Sequence, residues 1–241
     1  MRVRYLTVIG GRAHLNGITF ATNTHVVRGK LSQGKISISV HRLPGLRIFN
    51  LLDKVPFLRG ISKLLKLNLK LFLGLILFLS IPWERLFPDS EPLAFDSLGV
   101  DLALYAVVLI LLVVLLKRLW QFHGAEHKAY NIYTSGADLS LEVVREASRI
   151  SERCGTNMAV IAVPIVILLS FVTMPLLLMV VVLALSYEIY NWSSRRYRLK
   201  AAFALARLIQ RYIVTAEPTE DQIRLAAATL SRALECDGSV I

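Results

Sequence analysis

The sequence predicts a mainly α, polytopic membrane protein with about four transmembrane helices, a small N-terminal β-rich cytoplasmic region and a C-terminal helical tail. Apolar residues make up 55% of the 241 positions, and they are gathered in blocks rather than in amphipathic stripes. Charge is the second observation: 28 Lys+Arg against 17 Asp+Glu give a net +11. In a chain with long apolar blocks such an excess points to segments facing anionic lipid rather than to nucleic acid. With only two cysteines, Cys154 and Cys236, a disulfide framework and a four-cysteine zinc site are excluded.

Residues 1–45 read as a β-rich cytoplasmic region. Ile36, Ile38 and Val40 alternate with Ser37, Ser39 and His41, the period of a half-buried strand. Ser32-Gln33-Gly34 supplies a turn before it, and Thr24–Leu31 a partner strand; Val3–Ile9 and Leu15–Phe20 add two more around Gly10-Gly11. Arg2, Arg4, Arg12 and His14 leave no apolar core for a signal peptide in the first fifteen residues. From 46 to 66 the period turns helical. Leu46, Phe49, Leu52, Leu58, Ile61 and Leu65 recur beside Arg47, Lys54, Arg59 and Lys63, as in a basic amphipathic helix lying on a membrane surface.

The transmembrane core is expected over 67–192. Leu98 to Leu116 is a 19-residue stretch with one charge, Asp101, close to the ~20 residues a helix needs to cross the hydrocarbon. Met158 to Tyr187 holds 30 residues without a charge, and Thr173-Met174-Pro175 divides it into two helices, with one long kinked helix as the alternative. Leu64 to Ile81 is the fourth crossing, or a re-entrant helix, since Lys66 and Lys70 interrupt its start. Residues 1–66, 117–157 and 191–241 carry 12, six and eight Lys/Arg, against one in the 82–97 loop. The positive-inside rule then predicts a multi-pass protein of the cell membrane with both termini cytoplasmic. Residues 139–152 read as a polar helix. In the tail, 193–241, helices are expected over about 199–214 and 219–235, the second opened by a Thr219/Gln222 capping box.

The residues that can carry chemistry follow the second apolar block, in Phe122-His123-Gly124-Ala125-Glu126-His127-Lys128. On a helix, His123 and His127 are i,i+4 and share a face, so both imidazoles can hold one divalent metal, Zn²⁺ first among them. Glu126 lies on the adjacent edge and can act as general base toward a water the metal activates. This is the inverted zincin spacing, in which the third ligand is a Glu on a later helix. Glu188, at the end of the last apolar block, is the candidate for it. Cys154, Asn157 and Lys128 are further candidates: Cys154 as a thiolate lowered by Arg153, and Asn157 with the plainer alternative of a helix cap.

Gly10-Gly11-Arg12-Ala13…Gly17, the His-Gly-Ala-Glu-His-Lys block, Arg153-Cys154-Gly155-Thr156-Asn157, Ser186-Tyr187-Glu188 and Glu217-Pro218…Gln222 occur here in one order. In that order they resemble the YqhQ-like family of bacterial and archaeal membrane proteins. The resemblance covers nearly the whole chain and implies a metal-dependent enzyme whose reaction is not established. The family usually has Gln where Arg12 stands and Glu where Asn16 stands, departures that put in doubt a catalytic or ligand role for the N-terminal turn.

The reading that results is a membrane-embedded metal-dependent enzyme, a hydrolase by analogy, with a cytoplasm-facing site. Its surroundings would be the lipid bilayer, and its substrate a lipid or a membrane-protein segment. The alternative is a non-enzymatic membrane scaffold or assembly factor in which the His/Glu cluster is structural.

Overall fold

The computed structural model describes residues 8–43, 98–169, 175–196 and 199–238, with isolated positions at 55, 57, 77 and 81. Four strands, β1 (Val8–His14), β2 (Gly17–Thr22), β3 (His25–Ser32) and β4 (Lys35–Arg42), form an antiparallel meander in sequence order. Gln33 and Gly34 both take positive φ, 49° and 74°, which lets a two-residue turn match the twist of the strands it joins. It pairs Ser32 with Lys35 and so sets the β3–β4 register. The period-2 alternation located β4 but overstated its burial. Every residue of that edge strand is exposed, Ile36, Ile38 and Val40 included.

Among the described residues seven α-helices follow: α1 (Leu98–Leu115), α2 (Lys117–Ser135), α3 (Leu141–Glu146), α4 (Gly155–Leu168), α5 (Pro175–Arg196), α6 (Lys200–Ile209) and α7 (Glu220–Cys236). A five-residue π-helical segment, Gln210–Val214, continues α6. The capping box at Thr219 and Gln222 is present, with the Thr219 N–H donating to Gln222 Oε1 at 2.8 Å. Helix α7 buries Ile223, Ala226, Leu230, Ala233 and Leu234, a stripe at helical spacing. That stripe covers Ile18, Phe20 and Val27 of the sheet, and Phe122, Ala125 and Ala129 of α2 complete the same core.

The four-span architecture is corrected by the helix boundaries, and with it the placement as a multi-pass membrane protein. Among the described residues no single helix is long and apolar enough to cross a membrane. Helix α1 ends at Leu115 after 18 residues, about 27 Å, and the chain turns by 67° into α2. Helix α2 is buried against the sheet from Phe122 to Tyr130 rather than continuing an apolar crossing. Helix α4 is 14 residues, about 21 Å, and contains Pro164. Helix α5 has 22 residues, but Tyr187, Glu188, Asn191, Arg195 and Arg196 fill its second half. Hydropathy reads composition over a window and does not see where a helix stops. The proposed crossing at 64–81 and the amphipathic segment 46–66 lie outside the described residues, apart from the isolated positions.

One further boundary differs. The helix expected over 139–152 is confined to Leu141–Glu146, and residues 147–154 run as turns and coil. The charge-free block 158–187 falls into two helices as expected, α4 and α5, and not into the single kinked helix that was the alternative.

Candidate metal centre

Three elements meet at the cluster: α2 brings His123, Glu126 and His127, the N-terminus of α4 brings Cys154, and the 210–218 stretch supplies backbone carbonyls. The helical spacing does what the sequence requires of it, setting the two imidazole centroids 4.3 Å apart. One ligand atom from each of His123, His127 and Cys154 lies within 4.8 Å of the others. Cys154 Sγ stands 3.8 Å from His123 Nε2. Tetrahedral zinc bonded at 2.0–2.3 Å keeps its ligand atoms roughly 3.5 Å apart, so the spacing is close to what a bound ion needs.

Each imidazole is anchored through its other nitrogen. His123 Nδ1 lies 2.8 Å from the Val214 carbonyl and His127 Nδ1 2.7 Å from that of Arg149. A carbonyl only accepts, so both Nδ1 atoms carry the hydrogen and both Nε2 atoms present lone pairs. Those lone pairs face Glu126, whose Oε2 is 3.9 Å from His123 Nε2 and 3.7 Å from His127 Nε2.

Electrostatics follow from burial. Desolvation pushes the Glu126 carboxyl up to about 8. It also drives His127 down to about 3, with His123 adding to the effect, and it lowers His123 as well. Burial raises the Cys154 thiol, while its hydrogen bonds with the Thr156 hydroxyl and N–H work against it. The Arg153 guanidinium, expected beside that sulfur, donates instead to the Tyr130 hydroxyl at 3.1 Å.

The remaining candidates divide. Asn157 is a clamp: its Nδ2 donates to the carbonyls of Ser151, Glu152 and Cys154 at 3.2, 2.9 and 3.2 Å, holding the turn that carries the cysteine. Cys154 is itself the N-cap of α4, accepting from the Thr156 N–H. Lys128 is buried and donates to the Arg145 carbonyl at 2.7 Å while pairing with Glu217 at 2.6 Å. Lys128→Met, which strips the Arg145 carbonyl of this donor while Glu217 keeps Arg149, is expected to lower stability by about 1–3 kcal/mol, read from denaturation midpoints. Glu188 lies on α5, where its Oε1 accepts the Phe57 N–H at 3.1 Å, and it is not one of the three grouped residues.

Sequence reasoning missed two glycines and a bulge. A Cβ on Gly11 would overlap the Glu126 carboxylate, so β1 forms the wall against which that group is buried. A Cβ on Gly124 would overlap the Ala216 carbonyl oxygen, so only glycine lets α2 approach the 214–218 segment. The π-helical turn sets Val214 opposite His123, and its Gln210 Oε1 accepts the Ser151 N–H at 2.9 Å. A glycine inside a strand is a signal for such close approach. A backbone carbonyl acting as anchor leaves no trace in side-chain pattern.

The sequence pattern of the family described as "Protein of unknown function (DUF1385)" matches residues 58–236, most of the chain and all of these cluster residues. The chain belongs to the DUF1385 family. A relative, "Uncharacterized protein YqhQ" of Bacillus subtilis (strain 168), is 24% identical over 95% of this chain and 92% of its own length. No solved structure matches. The DUF1385 description and that of the relative name neither a metal nor a reaction, so the metal dependence implied by the resemblance finds no support there.

Proposed function

We propose that this chain is a metal-dependent hydrolase in which His123 Nε2, His127 Nε2 and Cys154 Sγ hold Zn²⁺ and Glu126 handles the proton. One observation carries the reading: both imidazoles spend their Nδ1–H on backbone carbonyls, so two ring lone pairs converge with the Cys154 sulfur, whose thiol would give up its proton to a metal. A cation satisfies that arrangement. His127, held far below the usual imidazole range, does not protonate at neutral pH to do so. Three protein ligands leave one tetrahedral position open, the pattern of hydrolytic rather than structural zinc. Zinc bound there supplies a Lewis acid.

Glu126 does the rest. Its Oε2 is within one water's reach of both ring nitrogens, in a site where burial raises its basicity to about 8. Burial favours its protonated form and a bound dication would favour the carboxylate; so ionised, it would take a proton from water and return it to a leaving group.

The test is zinc content of the purified protein. One zinc per chain is expected for the wild type and none for the double variant His123→Ala/His127→Ala; equal zinc in the two overturns the ligand assignment. Glu126→Gln separates an enzyme from a scaffold. It is expected to keep the zinc and lose turnover of an activated aryl ester, whereas a purely structural cluster would leave any turnover as it was.

A further inference from the structure

A cavity of about 740 Å³ opens on the far side of the 148–154 segment, between that segment, α5 and α6. Its size is that of a small-molecule site. Three cations line it, Arg153, Lys200 and Arg207, together with an apolar wall of Ile150, Tyr190 and Phe203. The wall is preorganised. The rings of Tyr190 and Phe203 stand 6.2 Å apart, and the Tyr190 hydroxyl donates to the Glu152 carbonyl at 2.8 Å.

Among the described residues Lys200 and Arg207 form no ion pair, and Arg153 donates to the neutral Tyr130 hydroxyl, lies over that ring and is within electrostatic reach of Tyr190. Glu152 is the one acid in the lining. Three cations against one carboxylate leave a local charge of about two, which a phosphomonoester dianion cancels, and guanidinium forks suit its oxygens. The aromatic wall asks for a flat apolar group on the same molecule.

We infer that this cavity is a binding site for an organic phosphate carrying an aromatic or similarly flat apolar group. Arg207 and Lys200 grip the phosphate, Arg153 flanks it, and Tyr190 and Phe203 take the apolar part. The site is separate from the metal centre: none of His123, Glu126, His127 or Cys154 lines it.

Phenyl phosphate is the probe, titrated calorimetrically against the full chain with and without a chelator. Binding is expected in both conditions, tighter than that of inorganic phosphate. Lys200→Gln/Arg207→Gln is expected to weaken it at least tenfold, with each single change intermediate. Arg232→Gln, which removes the same charge from an exposed site on α7, is expected to stay within twofold. Phe203→Ala is expected to erase the preference over inorganic phosphate. Lys200 and Arg207 are exposed, so their loss spares the core, and the single variants keep the test open should the double one misfold. The inference is overturned by absent binding, by wild-type affinity in the cation variants, or by inorganic phosphate binding as tightly as phenyl phosphate. Binding that vanishes with the chelator overturns it too, since the anion would then belong to the metal centre.

Discussion

At pH 8, chelator-treated Glu126→Gln protein is expected to gain stability over chelator-treated wild type by up to roughly 4 kcal/mol relative to the difference at pH 4.5. The cause is the buried carboxyl, whose value rises from 4.5 to about 8 on folding because water is excluded. A group raised in the folded state favours folding fully only below its unfolded value. As pH climbs from 4.5 the unfolded chain ionises at no cost while the folded one resists, and about 1.4 kcal/mol is lost for each pH unit until the folded value is reached. Glutamine has the shape of the neutral acid and never ionises. His127 acts in the opposite sense: its value falls from 6.5 to about 3, so its contribution is lost as pH drops through that window. It is common to both proteins and cancels in the comparison. Denaturant midpoints measured across the range decide the matter, and a difference that does not change with pH means that Glu126 is not buried as described. Restoring zinc should flatten the wild-type curve, because a neighbouring dication favours the carboxylate.

Gly124→Ala is the second large effect. The added methyl meets the Ala216 carbonyl oxygen, a backbone atom that no rotamer change moves aside, with Pro218 Cδ 3.6 Å away. Helix α2 must then draw back from the 214–218 segment, where the Ala216 N–H donates to the Trp120 carbonyl at 2.9 Å. Overpacking of this kind costs about 1–3 kcal/mol. The same retreat lengthens the His123–Val214 anchor, and losing such a support lowers metal affinity by roughly 10–100-fold. Both a lower denaturation midpoint and weaker zinc binding by competition titration are therefore expected. A midpoint shift with unchanged zinc affinity would show that the carbonyl anchor does not matter to the site.

How much of this was legible depended on whether the information lay in local spacing. Alternation at Ile36, Ile38 and Val40 marks a strand because side chains change face at every residue, whatever the strand packs on. Histidines four apart on a helix share a face wherever that helix lies, so His123 and His127 come together although α2 is a new helix and not the extension of a span. The Thr219/Gln222 cap is equally local. The membrane reading failed because it turned on where helices end. A bend at residue 116, a proline in α4 and a polar second half in α5 each shorten an apolar block without changing its composition. The group beside the two histidines illustrates the same limit. Analogy and place along the chain point to Glu188, whereas Cys154 stands beside His123 where Asn157 holds the turn that precedes α4. That is a tertiary fact with no spacing rule behind it.

Strand β1 precedes the stretch that the family pattern covers, 58–236, yet its Gly11 forms the wall that keeps water from Glu126. On the proposed reading, the ligand atoms and the wall that tunes the acid come from different portions of the polypeptide. A fragment beginning at residue 58 would inherit every donor atom of the cluster and still have an ordinary, wetted carboxylate. The hairpin is therefore the part of the chain where a change would retune the buried acid while leaving His123, His127 and Cys154 in place.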